Sequence, residues 1–599
     1  MRENNKNKFD NINRRLFLFV ILKVLSVAYI LERLFNLQIR QSEKFKKLAE
    51  NNRINSMFII PARGLIYDRD NSILAENKEQ YQLIYRYTNT KDKYDHLVQI
   101  FKHLSLKQSN KENLLKELSL NKSDFLQIII KNNLSWKEVA QISSNITELR
   151  GVFIEMILQR SYNSISSSHI VGYVKAPEKT EYPKLANVPG TVVGKIGIEK
   201  SYDKKLQGKF GIKKEEVNAH GRVVKEISRV NGIPGEDINI SISKELQEFC
   251  YERLGDNSGS IVVLNVTNGE ILSMISKPSF NSNDFISTMS QEKWDNISKN
   301  ELNPMFNRSS LGTYPPGSIF KLIVSITALN EKSFNPNKKY YCNGGYKFGN
   351  QIFHCWKEGG HGFIDCDEAI AMSCDCYFYD LSLNLGIEKI YETAKIFGLG
   401  QKYLDEIFPA SEGIIPNKEW KKNKFQSEWT KSDTIVASIG QGFSLASPLQ
   451  LAVMISRICT QGQLIKPTII KNKETNKKFS VTSFAEANTY SYIMKGMFNT
   501  VNNINGTAYQ SRHIKTGYYM AGKTATSQVR RITMSEREEG IKKNEDLPRK
   551  MRDHALFVGY FPHNMPRYAF SIVVEHGGSG SKTAAPIARD ICRELVKNI

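Results

Sequence analysis

The sequence predicts an α+β protein in three parts: an apolar helical segment near the N-terminus, a mixed solvent-rich module, and a larger domain in which helices pack against an antiparallel sheet. Three observations carry this reading. Residues 16 to 31 are apolar apart from Lys23 and Ser26. β-rich runs at 260–266 and 270–275, and again at 555–561 and 568–574, bracket a long and mostly helical interval. At 599 residues the chain exceeds what one hydrophobic core serves, so at least two domains are expected.

The apolar run LFLFVILKVLSVAYIL is short for a bilayer span of about 20 residues, and continuing through Leu34, Phe35 and Leu37 supplies the length. Lys23 must then snorkel or face a protein partner. Five basic residues against two acidic ones precede the run. The positive-inside rule therefore predicts a cytoplasmic tail (1–15), a single-pass anchor (16–37) in the bacterial inner membrane, and everything after it in the periplasm. Two other readings stand beside this one: a signal peptide cleaved near Ser26-Val27-Ala28, and a buried core helix.

Beyond the anchor, residues 38 to 235 are rich in Lys, Asn and Glu. Short apolar alternations at 56–60 and 81–85 read as strands, and 91–150 has helical spacing with many charges. The turn cluster Asn231-Gly232-Ile233-Pro234-Gly235 predicts a boundary, placing a second domain at 236–599. There, Thr267-Asn268-Gly269 joins the first two β-rich runs as a hairpin, and an amphipathic helix at about 584–597 closes the chain.

The formal charge is +22 and the pI about 9.4, with Lys and Arg spread through the length. This fits a generally basic surface, with attraction to anionic lipid or an anionic wall polymer as the next reading. A nucleic-acid role is excluded for want of a basic stripe or motif, and no phosphate loop or dinucleotide fingerprint is present. Five of the eight cysteines fall between 342 and 376. Chain size rules out a small disulfide scaffold, so that cluster needs a local cause.

The chemistry concentrates at Tyr314-Pro315-Pro316-Gly317-Ser318-Ile319-Phe320-Lys321. The uniformly apolar run from Ile319 to Leu329 predicts a buried helix starting near Ser318. Spacing of three places Ser318 and Lys321 on one face, one turn apart. Burial lowers a lysine's pKa, which would let Lys321 take the serine proton. Alone, S-x-x-K is weak. Ser373-Cys374-Asp375 and Lys523-Thr524-Ala525-Thr526 follow in order, and the three elements together match the set shared by penicillin-binding proteins and serine β-lactamases.

The chain resembles a class B penicillin-binding protein of the elongation type. Arg63-Gly64-Leu65-Ile66-Tyr67-Asp68-Arg69, His169-Ile170-Val171-Gly172-Tyr173 and Gly197-Ile198-Glu199 carry the resemblance in the first module. Asn307-Arg308, Gly440-Gln441-Gly442, Ser447-Pro448-Leu449-Gln450 and Asp553-His554-Ala555 carry it in the second. The resemblance implies a pedestal, or dimerisation-type, domain followed by a β-lactamase-like transpeptidase domain. It implies that Ser318 attacks the penultimate D-alanine carbonyl of a peptidoglycan stem peptide, with Lys321 as base and Ser373 as proton relay. Lys523 would supply positive charge, Thr524 and Thr526 would meet the substrate carboxylate, and the N–H groups of Ser318 and Thr526 would form the oxyanion hole. β-Lactams would acylate the same serine, and no cofactor is required for the transfer. Partners implied are a polytopic membrane glycan polymerase and other elongation-complex proteins.

Two residues depart from the usual pattern. Asp375 stands where the family usually has Asn, a mark of the elongation subgroup. Ala525 replaces the Gly of K-T-G, and its methyl either narrows the cleft or shifts the strand, or is harmless. Ala525 is also the one feature favouring an alternative function, a catalytically idle scaffold that activates the polymerase. For the cysteine cluster, the resemblance points to a structural Zn²⁺ on Cys342, Cys355, His361 and Cys374. A Cys342–Cys355 disulfide and unlinked thiols are the other two states, with His354 and Cys366 in reserve.

Overall fold

A computed structural model describes residues 3–597 except 45, 47–53, 89–92, 103–105, 107, 121–124, 146–148, 150, 179, 182–187, 189, 218–222, 287–288, 472–478, 514–516, 531–535, 537–539 and 541. The chain divides into two compact units, one formed by Met1–Ala62, Glu79–Leu158 and Lys209–Pro234, the other by Arg63–Lys78, Gln159–Gly208 and Gly235–Ile599. Two segments on the N-terminal side of residue 235 thus pack with the C-terminal part. A buried ion network joins these two segments to each other. Arg63 pairs with Glu199 at 2.6 Å and Asp203 at 2.7 Å, and Arg160 pairs with Glu199 at 2.7 Å.

In the first unit a single helix runs Glu3–Phe35 and contains the apolar run, whose side chains are exposed. Among the described residues no helix is long and apolar enough to cross a membrane. Lys23 interrupts the apolar run, Arg15 bounds it, and Glu32 and Arg33 sit inside its extension to residue 37. Strands Ile54–Ile59, Gly211–Val217 and Val223–Val230 form a three-stranded antiparallel sheet. The interval read as helical holds helices Lys93–Lys102, Gln108–Leu120 and Trp136–Ser144, with a strand, Phe125–Lys131, set among them. That strand pairs antiparallel with residues 83–88 over a core that includes Leu83, Tyr85, Leu97, Ile100 and Ile128.

The second unit is built on a five-stranded antiparallel sheet of β1 (Gly259–Asn265), β2 (Ile271–Lys277), β3 (Ala521–Ser527), β4 (His554–Phe561) and β5 (Tyr568–Val574), in the order β2-β1-β5-β4-β3. The central strands read as continuous apolar runs because both faces are covered. Val262, Leu264, Met274, Leu556 and Val573 face one core, while Ile261, Val263, Phe557, Phe570 and Ile572 face the other. On the first side lie α1 (Lys321–Leu329), α2 (Cys366–Met372), α3 (Asp375–Leu385), α4 (Pro448–Cys459) and α5 (Ala487–Asn502). Every residue of α4 is buried, and its N-terminus is closed by a capping box between Ser447 and Gln450. On the other side, α6 (Ala585–Val596) lays Ile587, Ile591 and Leu595 against the sheet. Two small hairpin pairings absent from the sequence reading, Tyr340–Cys342 with Gly362–Ile364 and Gly345–Phe348 with Gln351–His354, stand within the helical interval.

Candidate active site

The nucleophile sits on a tight turn. Ser318 lies in a 3-10 turn, Gly317–Ile319, and the α-helix proper begins at Lys321, one turn later than the sequence suggested. Gly317 has φ +56°, which disfavours any side chain, and its N–H donates to the Gly440 carbonyl at 3.0 Å. Gly440 (φ +66°) faces it so closely that a Cβ there would lie 2.3 Å from the Gly317 oxygen. Upstream, Tyr314 exchanges two backbone hydrogen bonds with Ala446, and its hydroxyl donates to Glu575 at 2.8 Å. Burial pushes the Glu575 pKa up, but Arg308, 2.9 Å away, more than offsets it, and the carboxyl is held below its usual range.

Lys321 is fully buried, as expected, yet its ammonium faces a carboxylate. Nζ lies 2.6 Å from Asp375 Oδ1, donates to the Ser373 carbonyl at 2.9 Å, and reaches Ser373 Oγ at 3.3 Å. Asp375 therefore serves as the counter-ion of Lys321. Ser373 itself is left-handed, with φ 59° and ψ 42°, at the junction where α2 ends and α3 begins. Trp356, which from the sequence reads as a packing or substrate-groove residue, closes this junction from outside: its backbone N–H donates to Asp375 Oδ2 at 2.8 Å and its indole Nε1 to the Ser373 carbonyl at 2.9 Å.

Strand β3 forms the opposite wall. Lys523 is buried, and Nζ donates to the Thr524 carbonyl at 3.2 Å. Burial, then the positive charge of Lys321, push its pKa well below the usual lysine range, with Asp375 opposing. Thr524 Oγ1 meets Thr507 Oγ1 at 2.6 Å, so Thr507 joins the site without any sequence motif to announce it. Ala525 is buried, and a Cβ built on Gly317 would lie 3.3 Å from its methyl, so the methyl packs against the nucleophile turn. The cleft is open and about 1270 Å³ in volume, and Ser318, Ser373, Asp375, Thr524, Ala525 and Thr526 all line it. A hydroxyl, two buried amines, a second hydroxyl and one carboxylate around a shared cleft are what nucleophilic acyl transfer needs.

Beside this wall, the donor atoms of Cys342, Cys355, His361 and Cys374 lie within 4.8 Å of one another. His361 Nδ1 is 3.8 Å from the Cys342 sulfur and 3.5 Å from that of Cys355. A tetrahedron with Zn–S near 2.3 Å and Zn–N near 2.1 Å has an edge of about 3.6 Å, so the set fits Zn²⁺. All eight cysteines are free, which removes the Cys342–Cys355 disulfide. Hydrogen bonding from Cys374 and then Cys376 lowers the Cys355 pKa, while Cys374 and Cys376 are themselves raised through their contact with Cys355. Cys366 stands apart, its thiol pushed up to about 12 by burial. His354 is not among the clustered donors.

Nucleophile turn, lysine pair and left-handed serine define the class: a serine acyltransferase with a penicillin-binding type of site. The family model described as the penicillin binding protein transpeptidase domain matches residues 259–593, and the penicillin-binding protein dimerisation domain matches 58–240. The chain belongs to the penicillin-binding protein transpeptidase family. The peptidoglycan D,D-transpeptidase MrdA of Haemophilus influenzae is 30% identical over 600 residues, covering 97% of this chain and 91% of that protein. Among solved structures, the complex between PBP2 and MreC from Helicobacter pylori superposes with a TM-score of 0.79 at 28% identity, covering 91% of this chain and 99% of that one. Pseudomonas aeruginosa PBP2 in complex with WCK 5153 gives 0.67 at 27% identity, covering 90% and 96%.

Proposed function

We infer that the protein is a peptidoglycan D,D-transpeptidase acting through an acyl-enzyme on Ser318. The observation that carries this is that Ser318, Ser373 and Asp375 line one cleft while the buried Lys321 behind it reaches Ser373 Oγ and Asp375, with Lys523 buried within electrostatic reach of both Lys321 and Asp375. Ser318 Oγ attacks the penultimate D-alanine carbonyl while Lys321, in its amine form, takes the hydroxyl proton. Asp375, at 2.6 Å, stabilises the ammonium that results. The peptide C–N bond then breaks. The proton returns through Ser373 Oγ to the departing D-alanine amine, leaving the stem peptide esterified to Ser318. An amine from a neighbouring stem peptide attacks the ester and Ser318 regains its proton, so no oxidant or cofactor enters. Thr524 and Thr526, on the cleft wall, receive the substrate carboxylate.

Zn²⁺ bound by Cys342, Cys355, His361 and Cys374 would tie the small hairpins to the N-cap of α3. Residues 38–235 serve as pedestal and 236–599 as transpeptidase domain, supported by the two family matches. Residues 16–37 anchor the protein in the inner membrane, with 1–15 cytoplasmic and the catalytic unit periplasmic, a reading supported by the exposed apolar side chains of that helix and the basic residues before it. Its setting is wall elongation beside a polytopic glycan polymerase and other elongation proteins; that the Helicobacter pylori PBP2 forms a complex with MreC supports a protein partner for the chain. β-Lactams acylate the same serine. The idle-scaffold reading rests on Ala525 alone, whose methyl lies beside the nucleophile turn. Incubation with a fluorescent penicillin tests the assignment: the wild type labels and Ser318→Ala does not. A stem-peptide assay that yields neither cross-linked product nor released D-alanine from a labelling-competent protein would sink the transpeptidase reading.

A further inference from the structure

We propose that Trp356 is a positioning residue for acyl transfer, whose two N–H groups hold Ser373 and Asp375 in register with Lys321. Ser373 occupies a left-handed conformation that non-glycine residues adopt at a cost, and such a residue persists only when its surroundings over-determine it. What over-determines it is visible at its carbonyl. One bond comes from Lys321 Nζ and the other from Trp356 Nε1, both at 2.9 Å, so both lone pairs are engaged. The indole N–H also reaches the Met372 carbonyl at 3.2 Å. At the same time the Trp356 backbone N–H binds Asp375 Oδ2 at 2.8 Å, while Asp375 Oδ1 holds Lys321 at 2.6 Å. The four residues close a ring of hydrogen bonds around the proton-handling groups, and Trp356 is the one member that belongs to none of the three motifs.

A packing role does not explain this tryptophan. It is 58% exposed, its ring meeting His361 edge-on at 5.5 Å, so it buries little area. Exposed indoles ordinarily turn the N–H toward water and the ring toward protein. Here the N–H edge points inward and the ring stays out. Nor does it touch the nucleophile, so its influence runs through Ser373 and Asp375. Loss of the indole N–H frees the Ser373 carbonyl on one side and loosens the hydroxyl that returns the proton. The penalty therefore falls on the chemical step, and first binding is left alone.

The inference rests on acylation at Ser318, and the experiment separates the two. Full-length protein in detergent is mixed with fluorescent penicillin in a stopped flow, which resolves the initial dissociation constant from the acylation rate constant. In Trp356→Phe the rate constant falls about tenfold, the value of one hydrogen bond in the transition state, and the dissociation constant stays within twofold. Replacement of Trp356 by benzothienylalanine, the same bicycle with sulfur for N–H, gives the same drop and decides the matter if the Phe variant does not fold. A wild-type rate constant in the benzothienylalanine protein, or a loss confined to initial binding, overturns the inference alone. Absence of labelling in the wild type overturns the Ser318 assignment and this inference with it.

Discussion

His169 gives the protein a calculable sensitivity to acid. It lies in the string His169-Ile170-Val171-Gly172-Tyr173, packed edge-on against Phe280 at 5.0 Å and only 5% exposed. Burial, then the nearby Arg308 cation, lowers its pKa from 6.5 to about 4, while bonds to the backbone at Pro278 and Pro304 oppose the shift. The folded state thus keeps His169 neutral where the unfolded chain protonates it. Stability from this group is complete above the unfolded value of about 6.5, falls as pH drops, and is fully lost near 4. The gap is worth about 3 kcal/mol. His169→Gln retains a polar partner for the backbone and cannot titrate. Unfolding free energies from urea titrations at pH 7.5 and 4.5 should therefore fall by about 2.5 kcal/mol more in wild type than in the variant. Any constant cost of the substitution cancels in that comparison. Parallel losses in the two proteins would refute the reasoning, because they would mean that His169 gains its proton without unfolding.

Gly440→Ala places a methyl 2.3 Å from the Gly317 carbonyl at φ +66°, and a displacement of the turn near 1 Å should slow penicillin acylation about 100-fold, read by labelling kinetics with an unchanged circular dichroism spectrum. Glu199→Gln leaves Arg63 and Arg160 with a buried surplus of charge, and destabilisation of about 3–5 kcal/mol is expected in thermal or urea unfolding, whereas an exposed pair such as Lys299–Asp295 should tolerate the same change within about 1 kcal/mol. Metal analysis of purified protein should find close to one Zn²⁺ per chain, lost in Cys355→Ser. Thiol titration of the chelated, denatured wild type should count all eight cysteines, and a count of six would restore the disulfide.

Much of the catalytic unit was legible because its signals are local. The paired apolar runs at 260–275 and 555–574 are strands since both sheet faces are covered, and their buried side chains leave no polar alternation to misread. Ser318, Lys321, Ser373 and Lys523 were found because three short motifs keep their order. The roles of Trp356 and Thr507 were not, since each comes from a partner 17 to 19 residues away, across a hairpin or a loop, and no spacing rule links them. Asp375 is placed in the site by its motif, but its pairing is not written in the spacing. Its significance is the ammonium 2.6 Å away, which only folding brings there. The strand Phe125–Lys131 escaped because the charged stretches on either side of it have helical spacing. The inclusion of Arg63–Lys78 and Gln159–Gly208 in the catalytic unit shows in contacts made only in the fold, such as the Lys244 N–H to Asp68 and the Gln247 amide to the Ser166 carbonyl, 176 and 81 residues apart.

The opposed pair Gly317 and Gly440 constrains how this protein can escape an antibiotic. The Gly317 backbone fills the space a side chain on Gly440 would need, while Gly317 itself sits at a positive φ with Ala525 and Thr526 3.3 Å from where its own Cβ would stand, so a side chain is disfavoured at both positions. Selection by β-lactams is thereby steered away from the turn that presents Ser318 and toward the rim, where residues such as Val436, Gln441 and Thr507 line the cleft outside that turn. Resistance arising in this chain should therefore alter which side chains of the drug are admitted before it alters the chemistry that the drug imitates.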